Sequence, residues 1–418
     1  MFDQLFQKPF VLARQRNGPL AEERGSYLAH CAEQQMSRRT LRSIARFTLI
    51  VTKALCLAER PSKLVTRAEV KAEVDRWLGR RSRQSTARQI RLLGVDFTSH
   101  VIRWLTFLGW LQPTVPIQQL YAREVAQFTD YMLRERGLSP QTVVYRCRAI
   151  RQFLAEIDEA DFRLDQLAVT QLDELLVRKI RDNGYARTTI QTLVSALRPF
   201  FRFGEQHGWC RPGLAAAIMA PRLYRHEGLP TGPDWNDVKR LLAAVEGDRP
   251  AHIRDRALLM LLAVYGLRAG EVTALCLKDF DWERELLSVP HSKSQRPRNY
   301  PLCRPVGDAV IRYLREVRPR SDRRQVFLTL VAPFRPLVAN SLGRAVYRRL
   351  HALGLILPHY GSHVLRHACA THLLAQGLSL KEIGDHLGHQ SSDATRIYAK
   401  VDLAALRAVG EFALEGLL

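Results

Sequence analysis

Along most of this chain apolar positions recur with the three-and-four spacing of amphipathic helices, and one stretch alternates as strands do. In "QTVVYRCRAIRQFLAEI", Val143, Cys147, Ile150, Leu154 and Ile157 line one face, which predicts a helix from Pro140 behind an N-cap at Ser139. "ARTTIQTLVSALRPFFRFGEQHG" predicts a second such helix closing at Gly208. Upstream, Thr66 and Glu69 form a capping box for a helix through Trp77, and "QIRLLGVDFTSHVIRWLTFLGWL" supplies a further apolar face. In "YGLRAGEVTAL", Gly266 breaks one helix before the next begins. "DFDWERELLSV" and "QRPRNYPL" read as strands of a hairpin with its tip at His291 to Arg296, and only helices are expected after it.

A chain of 418 residues is too long for one ordinary core. Pro113 and Pro116 punctuate it once, and the proline- and glycine-rich residues 208–233 read as an interdomain linker. The expected organisation is a helical N-terminal extension (1–112), a helical domain (113–207), the linker, and a C-terminal domain (234–418) of helices with a small antiparallel sheet.

Charge narrows the class of partner. Lys and Arg number 63 against 41 Asp and Glu, leaving +22, a surplus that favours nucleic acid over an anionic membrane or a merely basic surface. Arg146, Arg148 and Arg151 lie largely off the apolar seam of their helix, where they suit a DNA-backbone clamp as well as a solvated face. The seven cysteines are scattered without a CxxC pair, as reduced thiols in a cytoplasmic protein would be. The N-terminus lacks the basic-then-apolar order of a signal peptide, and "ALLMLLAVYGL" is too short to span a bilayer, so a soluble, cytoplasmic protein with no membrane partner is expected.

The C-terminal domain carries the chemistry. Arg268 sits where a helix opens after a glycine turn, with Glu271 one turn on; Lys293 stands on the hairpin tip; His363 and Arg366 share a helix face; His389 follows a glycine stop; Tyr398 falls in a short helix. Cleaving a phosphodiester without metal requires fixed cations for the non-bridging oxygens, a nucleophile in line, and a proton donor for the leaving 5′-oxygen. These six residues supply each role. A zinc reading of His363 with His367 needs a third ligand and, for hydrolysis, a Glu where Val364 stands. His367 and His372 read as packing or supporting residues, His386 as facing elsewhere, and His291 as a solvated loop residue.

In "GLRAGEVTAL", "SKSQRPRNYPL", "HVLRH", "LGH" and "SSDATRIYAKV" the chain resembles the tyrosine recombinase (phage integrase) family over roughly residues 234–410. Ser292 and Ser294 depart from the glycines that often flank the lysine. The second block resembles, in helical texture, the core-binding (SAM-like) domain of that family. The resemblance implies a mainly α protein with an α+β catalytic domain. It implies Tyr398 as nucleophile, Arg268 and Arg366 on the phosphate, Lys293 as general acid, His363 as base and His389 as a hydrogen-bond donor. It further implies double-stranded DNA as partner, a tetrameric synapse, and no cofactor, metal or ATP. Integration, excision or transposition of a mobile element is the expected role, with accessory or partner recombinases as further candidates. Resolution of replicon dimers, and a catalytically silent DNA-binding accessory protein, are the alternatives. The amphipathic C-terminal "LAALRAVGEFALEGLL" fits packing on a neighbouring protomer or on its own.

Overall fold

A computed structural model describes residues 1–60, 62–79, 87–112, 121–160, 162–182, 184–222, 232–290, 297–389, 391 and 393–401. The chain divides into two compact units, residues 112–227 and residues 1–111 with 228–418.

The unit of residues 112–227 is helical. Its helices include Ala122–Arg134, Pro140–Glu159, Val169–Arg181 and Arg187–Gln206. Val143, Cys147, Ile150, Leu154 and Ile157 are all buried, in a core with Phe128, Phe153, Phe200 and Phe201. Ser139 caps its helix, its Oγ accepting from the Thr142 N–H at 3.3 Å, while Arg148 and Arg151 stay exposed on the far side. The first part of the expected linker belongs to this core instead. Cys210, Leu214, Ala215 and Ile218 are buried in it, and Leu214–Ala217 is helical. The small apolar run there outweighs the flanking Pro and Gly, because it has a core to enter.

The other unit holds two large cores. Residues 1–111 enclose Phe47, Phe97 and Trp104, with the two phenyl rings stacked 4.5 Å apart between Arg38–Ala54 and Ala87–Phe107. The capping box forms: the Thr66 N–H donates to Glu69 Oε2 at 2.8 Å, and the Glu69 N–H to Thr66 Oγ1 at 3.1 Å, opening Arg67–Gly79. This block, the expected N-terminal extension, shares a compact unit with the C-terminal block, whose Ala332 packs against its core.

In the C-terminal block, Pro250–Val264 is buried on nearly every side and carries the centre of the core through Leu258, Leu261 and Leu262. Arg304–Arg312, Ala339–Ala352 and Ser362–Ala375 pack around it. Buried Asp255 ties the second of these to the centre by accepting from Arg349 Nη2 at 2.8 Å. Three antiparallel strands, β1 (Phe280–Asp281), β2 (Leu286–Val289) and β3 (Arg298–Pro301), lie in that order, with Leu287 opposite Tyr300 and Val289 opposite Arg298. The expected hairpin is therefore present, while its tip, 291–296, lies outside the described residues. Among the described residues no helix is long and apolar enough to cross a membrane.

Candidate active site

Four segments of the C-terminal block converge on one charged pocket. The first is the turn after Pro250–Val264. Gly266 adopts φ +58°, a conformation glycine takes without strain, and the chain reverses into the helix Ala269–Ala274 with Arg268 at its N-cap. Glu271, three residues on, accepts from the Arg268 backbone N–H and from Arg268 Nη1, both at 2.9 Å. The second segment is β3. Its alternation sends Arg298 and Tyr300 to the same side, and Arg298 Nη2 donates to the same Glu271 Oε1 at 2.9 Å.

The third segment is Ser362–Ala375. Arg366 is buried at 2% exposure, and its guanidinium donates to the carbonyls of Gly266 (2.6 Å) and Leu387 (2.8 Å). It thus clamps the Gly266 turn to the end of Leu380–Leu387, the fourth segment. That helix closes at Gly388, φ +65°, the left-handed cap expected there. His389 follows, its Nδ1 2.6 Å from the Thr395 hydroxyl.

Tyr398 lies in the 3-10 turn Ile397–Val401, buried among Cys369, Ala370, Ile383 and Leu387. Its hydroxyl is 2.9 Å from His367 Nδ1, and the His367 ring meets His363 edge-on with centroids 4.7 Å apart. His367, expected as a packing or supporting residue, is thus the partner of the phenol in this conformation. His372 stacks flat on Trp235 at 3.8 Å, and His386 Nε2 lies 3.3 Å from the Val264 carbonyl. Lys293 and the C-terminal segment 403–418 lie outside the described residues.

The electrostatics follow from two guanidiniums bonded to one buried carboxylate, with the Arg366 guanidinium close enough to feel both signs of charge. Burial raises the Glu271 carboxyl, but the Arg268 backbone N–H, Arg298 and the Arg268 side chain outweigh it and hold the group below its ordinary value. Burial, and after it Arg268, brings Arg366 down to about 10, still charged at neutral pH. The same two causes, desolvation first and the arginines next, hold His389 down at about 4 and depress His363. His367 falls to about 4 through burial, His363 and Arg366. Tyr398 rises to about 12, chiefly by burial, against the pull of Arg366. Among the described residues, Arg268, Arg298 and Arg366 against Glu271 leave the pocket two positive charges in excess, with neutral imidazoles around it.

Acid is accordingly expected to loosen the block. His367 and His389 bind protons in the unfolded chain near the ordinary histidine value of about 6.5 but in the folded one only at about 4. Their stabilising contribution is complete above about 6.5 and is lost as pH falls toward about 4. Between pH 7 and pH 5 urea denaturation should show a loss of about 1 kcal/mol per histidine, after allowance for solvent screening. A stability unchanged over that interval would contradict the buried, neutral assignment.

Arg298 escaped the sequence reading, although strand alternation places it on the face of Tyr300. The His367 contact left no local signal, because it depends on residues 397–401 folding back onto a helix thirty residues upstream.

Comparison with known proteins bears on this geometry. Residues 234–404 match the model of the phage integrase family, and residues 125–208 that of the phage integrase N-terminal SAM-like domain. The putative integrase/recombinase y4rA of Sinorhizobium fredii (strain NBRC 101917 / NGR234) is 36% identical over 288 residues, covering 68% of this chain and 69% of that protein. Tyrosine recombinase XerC of Alcanivorax borkumensis is 31% identical over 290 residues, covering 68% and 91%. In fold the chain is similar to the XerH site-specific recombinase bound to palindromic difH substrate, at TM-score 0.54 and 20% identity over 69% of this chain and 84% of that one. Two family models matched in order, and two relatives above 30% identity matched over more than two thirds of their length, show that the chain belongs to the tyrosine recombinase (phage integrase) family.

Proposed function

We propose that this chain is a site-specific DNA recombinase that cleaves and rejoins strands through a 3′-phosphotyrosyl link at Tyr398, without metal or ATP, in the integration, excision or transposition of a mobile element. The observation that carries the reading is the pocket that gathers Arg268, Arg298 and Arg366, the first two bonded to the buried carboxylate of Glu271. Two surplus positive charges suit a phosphodiester, and suit better the transition state, whose non-bridging oxygens gain charge.

In this reading Tyr398 Oη attacks the scissile phosphorus as the bond from phosphorus to the 5′-oxygen breaks. The phenolic proton passes to an imidazole, with His363 as the base, and Lys293 protonates the departing 5′-oxygen. Arg268 and Arg366 hold the non-bridging oxygens, and His389 donates a hydrogen bond to one of them. Rejoining runs the steps backwards with the 5′-hydroxyl of another strand: it loses its proton, attacks the phosphotyrosine and returns the phenol to Tyr398. The number of phosphoester bonds is unchanged, so no ATP is consumed. Exposed arginines such as Arg148 and Arg151 of the helical unit would contact the backbone of double-stranded DNA. Exchange between two duplexes calls for four protomers in a synapse.

The test uses a pool of duplexes with a randomised core and a nick beside it, so that cleavage releases a short fragment and traps the protein on a 3′ end. A covalent adduct that survives denaturation and forms in EDTA is the expected result. DNA binding with no adduct would replace the reading with a silent DNA-binding protein of this fold. On the captured sequence, His363→Ala is expected to slow adduct formation by about 10²–10⁴-fold, the usual range for a general base. His367→Ala is expected to cost only about tenfold through lost alignment of the phenol. The opposite ranking would transfer the base to His367.

A further inference from the structure

Resting on the recombinase reading, we propose that Arg298 is a positioning residue that aims the phosphate pocket, holding Arg268 through Glu271 and bracing the turn that carries His389.

Arg298 is committed to partners within the protein. Its side chain is 18% exposed and both terminal nitrogens are engaged, Nη2 with Glu271 Oε1 at 2.9 Å and Nη1 with the Tyr300 hydroxyl at 2.8 Å. Its effect must pass through what it touches. Glu271 is the first such group: at 2% exposure its carboxylate lies between two guanidiniums bonded to one oxygen, so it cannot turn toward either without losing the other. Arg268, 39% exposed, is the open member of this pair and depends on that carboxylate for its direction.

The second route runs to His389. Tyr300 Oη, accepting from Arg298, donates in turn to the His386 carbonyl at 2.6 Å, fixing the last turn of Leu380–Leu387. Gly388 lies directly against the guanidinium, so that a Cβ there would fall onto it. Arg268 Nη2 reaches the Gly388 carbonyl at 3.5 Å, and Arg366 Nη2 the Leu387 carbonyl at 2.8 Å. Arg298 is thus bonded to, or in contact with, the supports of two of the candidate catalytic residues while being neither. Displacing a catalytic group by about 1 Å costs on the order of 10²-fold in rate.

The test uses the full chain and the captured duplex, nicked, with either the natural phosphodiester or an uncharged methylphosphonate at the scissile position. Arg298→Met is expected to bind the duplex within about threefold of wild type and to form adduct about 100-fold more slowly, with Arg298→Lys recovering about tenfold. On the methylphosphonate, which carries less charge for Arg268 to meet, the deficit of Arg298→Met should shrink below about tenfold. Tyr300→Phe, which keeps the ring and removes the link to His386, should slow adduct formation about fivefold. An equal deficit on both substrates marks a merely structural role and overturns the proposal, as does a wild-type rate. Should Arg298→Met fail to fold, Arg298→Lys and Tyr300→Phe carry the test, and wild-type rates in both would overturn it. Failure of the wild-type protein to form any adduct is a distinct result, which removes the recombinase reading and this inference with it.

Discussion

Tyr398→Phe is expected to yield a folded protein that binds DNA and forms no covalent adduct. The substitution removes one oxygen from a side chain buried among Cys369, Ala370, Ile383 and Leu387 and keeps the ring that fills this small core. Its structural cost is the contact with His367 Nδ1, about 1 kcal/mol, read as a small shift in a urea midpoint. The chemical cost is total, because phenylalanine offers no atom to the phosphorus. With the phenol raised to about 12, only about one molecule in 10⁵ is ionised at pH 7. Proton removal must therefore accompany attack, and adduct formation in the wild-type protein should depend on an unprotonated imidazole. A Tyr398→Phe protein that still forms the adduct would move the nucleophile to another residue.

Arg366→Leu carries the second large effect, and it joins stability to chemistry. The guanidinium is buried and bonded to the Gly266 and Leu387 carbonyls, which leucine leaves without partners. At about 1–3 kcal/mol for each of the two abandoned acceptors, thermal and urea unfolding should show a loss of about 2–6 kcal/mol. Adduct formation should fall by at least about 10³-fold, since the best-enclosed cation of the pocket is gone. Arg366 also helps to depress His363, His367 and His389, so these imidazoles should titrate higher in the variant, as NMR would record. Arg366→Lys keeps the charge but cannot span two carbonyls, so it should restore part of the imidazole shifts and little of the stability. Unchanged histidine titration in Arg366→Leu would mean that desolvation alone sets those values.

What the chain disclosed by itself followed the range of the interactions. Local relations were legible: the apolar seam from Val143 to Ile157, the capping box at Thr66, the pairing of Arg268 with Glu271 three residues later, and the glycine cap before His389. Each depends on a fixed spacing within one element. Arg298 meets Glu271 across 27 residues, and His367 meets Tyr398 across 31, contacts that only the assembled block creates. The burial of the first part of the expected linker is hidden from sequence for a related reason. Proline and glycine report on local backbone, whereas the burial of Cys210 and Ile218 depends on a neighbouring helix. The pairing of residues 1–111 with the C-terminal block in one compact unit is likewise a matter of surfaces, to which periodicity is blind.

Arg268 and Arg298 share one carboxylate with Arg366 close by, and that imbalance has a cost borne by the empty protein. Folding must gather like charges without the anion that would balance them, so part of the free energy later released on binding is held beforehand as self-repulsion. Stability and reactivity are then opposed at this spot. Of the three, Arg268 is the most exposed, so its loss would relieve the repulsion at the smallest structural cost while weakening the grip proposed for the charge at phosphorus, whereas Arg366 is kept in place by its two carbonyls.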